Sequence, residues 1–435
     1  TEVHGDGHTS LRQVNATGVI HTSSADSLEA HFRPVADAGG RRARRGRKAG
    51  GDDVSRQGAD EIVSAVEQGH VVMTQQMARK KGETSLPGEE RATADRAMYD
   101  GELEKVTLIG NVQMTDAGSV LWADRVVTDQ KSGDAVAEGS VKVSYLQPKG
   151  GVSEGGTSGG GTLGAETSGA GSEPVHVLAA RAELKHESQV AIFHGAAGGS
   201  ARLWQGASQV EAPVIQFEQK QKKLLAKGEG KGAAMAVHTV LTSGASAAKP
   251  EGVKTNSAKP GRGKTEGAKA GAGPGKVNLL RVTSRELVYS DETRSAQFSG
   301  GVRVESADGS MRGQQATVYL QGAPVAGSGT TGGRVSAVRN GFMGGGVERV
   351  VASGHVAIEQ PGRRASGEQV VYTASDGMFV LTGTAGASPR IVDDAHGTVT
   401  GTSLRFHAGD QSVVVSNGGN GGAGQRVRTE TRVKK

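Results

Sequence analysis

A chain of 435 residues has room for several domains, but 69 glycines and only 35% hydrophobic residues leave much of it unable to form packed core. Aromatic residues are 3% of the chain, and cysteine is absent, which excludes disulfides, thiolate metal sites and a cysteine nucleophile. The net charge of +6 invites a nucleic-acid reading, yet the basic residues collect in stretches without periodicity (Gly39–Gly51, Arg79–Lys81, Lys249–Lys276) and no aromatics are interleaved with them. They read as solvated basic loops that can touch anionic surfaces.

In chain order, Thr1 already lies within a strand-like pattern, so the true start, with any signal peptide or membrane anchor, is expected upstream. Residues 1–34 read as partial N-terminal strands and 35–59 as a basic Gly/Arg-rich linker. No run is long and apolar enough to span a bilayer as a helix. His4 and His8 have helical metal-ligand spacing, but on a Gly-rich terminus. His70 and His355 follow glycines on the face opposite the valines and read as solvent-facing.

The stretch from Arg91 to Tyr145 contains one unit written twice without interruption. It opens Ala94, Ala97, Tyr99 and again Ala123, Val126, Thr128. After a polar turn comes a run with every other residue apolar or small: Val106, Leu108, Gly110, Val112, Met114, then Ala135, Ala137, Gly139, Val141, Val143, Tyr145. Period two means a strand with one buried face. From the last residue of the first run to the glycine of the second is 11 residues in both copies. The same spacing separates Leu184 from Gly195, Phe217 from Gly228, Tyr289 from Gly300, Tyr372 from Gly383 and Phe406 from Asn417. Turn-forming residues such as SDET, ASDG and KSGD sit between the runs. Each unit is therefore predicted to be a β-hairpin, seven in tandem.

Between and beyond these units the composition marks inserts. A first β region, 60–242, carries a Gly-rich insert at 149–173; a Lys/Gly/Ala-rich linker covers 243–276; a second β region, 277–420, carries an insert at 322–346; and 421–435 is a basic tail. All of the inserts and linkers read as disordered. Val318 lies 36 before Gly354, and removing the 25 residues Gly322–Gly346 restores the spacing of 11, so that insert is expected at a hairpin tip. Within the linker, AKPGRGKT (Ala258–Thr265) approaches a phosphate-binding loop, but Ala258 replaces its first glycine and neither strand nor helix flanks it. No serine, histidine and acid fall at a catalytic spacing, so an enzyme is not expected, and no cofactor or metal is implied.

The in-phase residues form an apolar face. Val112, Val141, Val302 and Val356 stand two after the glycine, with Met114, Val143, Val304 and Ile358 two further on; Val106, Leu108 and Phe298 precede it. Gln113, Lys142, Arg303 and Ala357 point the other way. In-phase glycines at 110, 139, 300 and 354 are expected to leave inward room for a neighbour or ligand. The face is either a core filled by its own side chains, as in a structural or surface β-solenoid, or a slot for something long and aliphatic.

The patterns LIGNVQMTDAGSVLWADRVVTD, AVAEGSVKVSY, FSGGVRVESADGSMRGQQATVYL and VASGHVAIEQPGRRASGEQVVYT resemble the OstA-like domains of bacterial lipopolysaccharide transport, the periplasmic bridge proteins of the LptA and LptC type. The resemblance implies an all-β fold, a twisted open β-jelly roll, in the periplasm. It implies lipid A acyl chains shielded by the inner face, so that Val106, Leu108, Val112, Met114, Val141, Val143, Phe298, Val302, Val304, Val356 and Ile358 become candidate lipid contacts. Implied partners are lipopolysaccharide, other transport components joined by edge-strand addition, and further copies of the chain stacked head to tail. An anchor to the inner membrane would lie before Thr1.

Overall fold

The computed structural model describes residues 1–14, 20–33, 61–76, 90–116, 118–145, 173–230, 235–243, 278–321, 343, 345–384, 386–394, 397–407, 413–416 and 428–430. The linker Val35–Gly51, most of the inserts and AKPGRGKT lie outside them. Among the described residues there are strands and no α-helix. The chain forms two compact units: residues 1–205 with 210–236, and residues 206–209 with 237–435.

In the first unit the strands are β1 (Glu2–Val14), β2 (Ile20–Arg33), β3 (Glu61–Gln76), β4 (Glu90–Asp100), β5 (Lys105–Asp116), β6 (Ser119–Asp129), β7 (Ala135–Tyr145) and β8 (Val175–Lys185). Short strands β9 (Val190–His194), β10 (Ala201–Gln205), β11 (Ser208–Ala212), β12 (Val214–Glu218) and β13 (Lys223–Lys227) follow, β11 straddling the division between the units. From β1 to β8 each strand pairs antiparallel with the next. Every one of these pairings shifts register near mid-strand, as between Ile109 and Val112 against Arg125 and Ala123, and β2–β3 shifts again between His31 and Phe32.

That shift is a β-bulge, and it explains both the hairpin spacing and the three-residue step of the first run. Opposite the extra residue in β5, β6 turns two consecutive residues outward, so Ala123 and Val126 are buried while Asp124 and Arg125 are exposed. The bulge bends each long strand into two arms, which belong to two walls. We call the wall holding Val106–Ile109 the first and the wall holding Val112–Asp116 the second. Beyond β8 the walls part: residues 181–185 pair with β9, while 176–178 pair with β10. The walls also meet across the interior, since Ser23, whose neighbour is Met73, donates to Glu67, whose neighbour is Leu28.

The second unit repeats the plan with β14 (Val237–Ser243), β15 (Asn278–Ser284), β16 (Glu286–Ser290), β17 (Ser295–Ser306), β18 (Gly309–Leu320), β19 (Val347–Gln360), β20 (Arg363–Thr373) and β21 (Met378–Thr382). It ends in β22 (Arg390–Asp393), β23 (Gly397–Thr400), β24 (Ser403–His407), β25 (Val413–Ser416) and β26 (Arg428–Glu430). Here β15 and β16 pair with opposite arms of β17, and β21 and β22 with opposite arms of β20. All seven hairpins read from the repeat are present as antiparallel pairs. The segment after Leu320 joins two paired strands, β18 and β19. Packed chain resumes before Gly346: Met343 is 1% exposed, and its carbonyl accepts a hydrogen bond from Ser208.

The glycines differ from expectation. Gly110 has φ +79°, and a Cβ there would lie 2.4 Å from Oδ2 of Asp95, an exposed side chain on the outer face. Gly139, Gly300 and Gly354 likewise combine positive φ with an outward neighbour: Asp124, Arg285 and Gln314. These glycines serve the bulge and leave no inward room, because the bulge rotates their missing side chains away from the interior.

Candidate functional site

All eleven in-phase residues face the interior. Leu108, Val112, Val141, Phe298, Val302, Val304, Val356 and Ile358 are buried at 5% exposure or less, while Val106, Met114 and Val143 are half-buried. The alternation holds on the other face, with Gln113, Lys142 and Arg303 exposed and Ala357 half-buried. His70 and His355 are almost fully exposed, as read.

Two of the eleven, Val304 and Ile358, line an apolar cavity of about 80 Å³ in the second unit that is partly open to solvent. Leu279, Leu280, Met311, Val347, Val350, Tyr372 and Phe379 complete its wall, and Ser306, Asp308 and Gln360 form a polar rim. From the cavity an aromatic stack leads inward: Tyr372 to Phe379 at 4.7 Å between centroids, Phe379 to Phe406 at 5.0 Å. Such offset ring pairs add stabilisation beyond buried area. Arg363, 7% exposed, sits 5.7 Å from the Phe406 ring and pairs with Asp393 at 3.3 Å. Burial first, then the charges of Asp308 and Asp376, raise the Tyr372 phenol above its ordinary range, so it remains a neutral donor at the cavity. Tyr289, fully buried, donates to Asp291, and burial holds it protonated.

Met311, Tyr372 and Phe379 were not among the predicted contacts. Their signal is nevertheless in the sequence, since Phe379 stands two before Leu381 and Tyr372 closes the first run of its hairpin. A second missed residue is Glu67, 4% exposed. Its Oε1 accepts from Ser23, and its Oε2 has no hydrogen-bond partner among the described residues. Burial raises its carboxyl pKa, an effect only partly offset by the Ser23 bond. His4 is on a strand, not a helix, and its nearest potential co-ligands are Glu2 and Glu29 rather than His8; all three are exposed.

Each unit thus packs bent hairpins around a largely apolar interior. Residues 53–134 and 281–412 match the family described as LptA/(LptD N-terminal domain) LPS transport protein. The chain carries the OstA-like repeats of this lipopolysaccharide-transport family over both stretches, as the repeated patterns indicated. A solved structure is similar: LptH, the LptA homologous periplasmic component of the lipopolysaccharide transport device from Pseudomonas aeruginosa. It is 16% identical, with 36% of this chain and 95% of that one covered and a TM-score of 0.27, too distant a likeness to argue from. No curated protein matches the chain.

Proposed function

We propose that the chain is a non-enzymatic, periplasmic lipopolysaccharide-binding transport protein whose interior shields lipid A acyl chains. The observation that carries this reading is the apolar cavity bounded by Val304, Ile358, Tyr372 and Phe379, which opens to solvent inside a family of lipopolysaccharide transport. A volume of about 80 Å³ admits a few methylene groups, each worth about 0.8 kcal/mol on burial. A whole chain enters only if the walls spread, and a groove that opens by parting two arms exchanges its cargo with an equally apolar acceptor instead of trapping it. Edge strands β1 and β25, each paired to one neighbour among the described residues, supply the means of joining other components or further copies by strand addition.

The test is a photo-crosslinking amino acid at Val304 or Ile358, with Arg303, one position away on the outer face, as the control. Lipopolysaccharide is expected to be captured in cells from 304 and 358 and much less from 303. No adduct from either inner site, in folded protein at normal abundance, would favour a structural β-solenoid filled by its own side chains. Equal adducts on both faces would refute the assignment of the interior.

A further inference from the structure

The outer faces of the two walls of the first unit differ in charge. Register places two cross-strand rows on the second wall's outer face, running from Ser10 and Arg12 on β1 to Arg202 and Trp204 on β10. These rows cross nine strands, about 38 Å at ordinary strand spacing. They hold four cations, Arg12, Arg91, Lys142 and Arg202, and no carboxylate; the remaining positions are mostly Ser, Thr and Val. The acids that adjoin the rows are Glu211 on β11, which pairs with Arg202 at 3.5 Å, and the exposed Asp26, Asp95 and Asp124 at the bulge between the two walls. The corresponding rows of the first wall hold Asp6, Glu29, Glu138 and Glu183 among their arginines, and ion pairs such as Arg125–Glu138 at 3.1 Å neutralise them internally.

The same two rows contain both tryptophans of the chain. Trp122 is 39% exposed, Leu178, two strands along the same row beyond Lys142, is 38% exposed, and Trp204 stacks on His176 at 5.2 Å with Arg202 over its ring at 5.4 Å. Next to Trp122 the face is concave, a hollow of about 430 Å³ lined by Arg91, Thr93, Gln113 and Thr115. One guanidinium, two hydroxyls and a carboxamide are donors suited to a phosphate, and all four lining residues are polar.

We propose that the second wall's outer face docks on an anionic phospholipid bilayer, with a headgroup phosphate in the Arg91 hollow and the two indoles at headgroup level. Indole rings favour that depth because one edge is apolar and the other donates a hydrogen bond. The cations are spread over separate strands and the indoles, in different rows, lie about 16 Å apart. A headgroup layer, which offers phosphate everywhere, fits this better than a folded acidic partner, whose binding needs a compact desolvated cluster. The proposal does not rest on the acyl-chain reading, because it uses the opposite face of the sheet.

The experiment uses the full chain with vesicles of phosphatidylglycerol and phosphatidylethanolamine, against vesicles of phosphatidylcholine alone. Co-sedimentation is expected with the first and not the second. Since both tryptophans are in this face, binding should shift the intrinsic emission to shorter wavelength, and a brominated acyl chain should quench it. Arg91→Gln and Lys142→Gln should each weaken binding about fivefold, and together about 25-fold. Arg125→Gln on the first wall should change nothing. Circular dichroism confirms that each exposed substitution leaves the fold intact. Inorganic phosphate at millimolar concentration should leave vesicle binding within twofold. Three outcomes would overturn the proposal: no binding to anionic vesicles; binding without an emission change; or binding insensitive to Arg91 and Lys142, which would assign it to basic segments elsewhere.

Discussion

The two units use one hairpin plan and fill it differently, and the clearest place to compare them is the position two residues before the bulge glycine. In the first unit that slot holds Glu67, Leu108 and Ala137; in the second it holds Phe298 and Ala352. The neighbouring inward positions follow suit. Small residues dominate the first unit, with Ala94, Ala97, Ala123, Ala137 and Ala182 all buried. The second unit is packed by Tyr289, Phe298 and Phe406, with the cavity at the end of the ring stack. Small side chains let two walls approach closely, whereas rings hold them apart. Bulge geometry is thus common property of the repeat, and interior volume is what the individual sequences adjust.

The largest effect is expected where the rings hold the walls apart. Phe406, 1% exposed and stacked on Phe379, should cost about 3–5 kcal/mol when replaced by alanine, read as a fall in the denaturation midpoint. A loss under about 1 kcal/mol would mean that the ring stack does not support the second unit. An intermediate effect is expected at the shared feature. Gly110→Ala should destabilise by about 1–3 kcal/mol, through its positive φ and the approach to Asp95, and Gly354→Ala should do the same in the second unit. Restoration of Gly110→Ala by Asp95→Gly would apportion the cost between clash and backbone strain. If one unit tolerates its substitution freely, the bulge is not common property.

How much of this could be read beforehand follows from period. Alternation between polar and apolar residues survives in one dimension, so Val112 against Gln113 and Val302 against Arg303 were legible, as were all seven hairpins. Spacing also betrayed the repeat. What spacing could not reveal is why the first run steps by three: the step from Ala94 to Ala97 encodes a bulge opposite Gly110, which exists only once β4 and β5 are paired. For the same reason Gly110 read as inward by parity, while its φ of +79° turns it outward. The cavity was invisible because Val304, Ile358, Tyr372 and Phe379 are up to 75 residues apart and converge only when β17, β19, β20 and β21 are assembled. The charge contrast between outer faces needs register across nine strands, which no local pattern contains.

The smallest expected effect bears most directly on the comparison, because Glu67 stands in the slot where its equivalents are apolar. Its carboxyl pKa is raised by burial, so the folded protein keeps the proton to a higher pH than the unfolded chain does. More protons bound in the folded state means that stability falls as pH rises from the ordinary glutamate value of 4.5, and levels off once the folded pKa is passed. This is opposite in sign to a salt-bridged carboxylate, whose contribution is lost on acidification. Glu67→Gln keeps the shape and a hydrogen bond to Ser23 while removing the titration. The variant should match the parent near pH 4 and exceed it by about 1 kcal/mol at pH 8, where the parent holds a buried charge with one unpartnered oxygen. Urea midpoints measured across that range decide the matter. A parallel pH dependence in both proteins would mean that Glu67 is solvated in solution and that the interior of the first unit is open to water, which would weaken the contrast between an alanine-packed first unit and a ring-packed second.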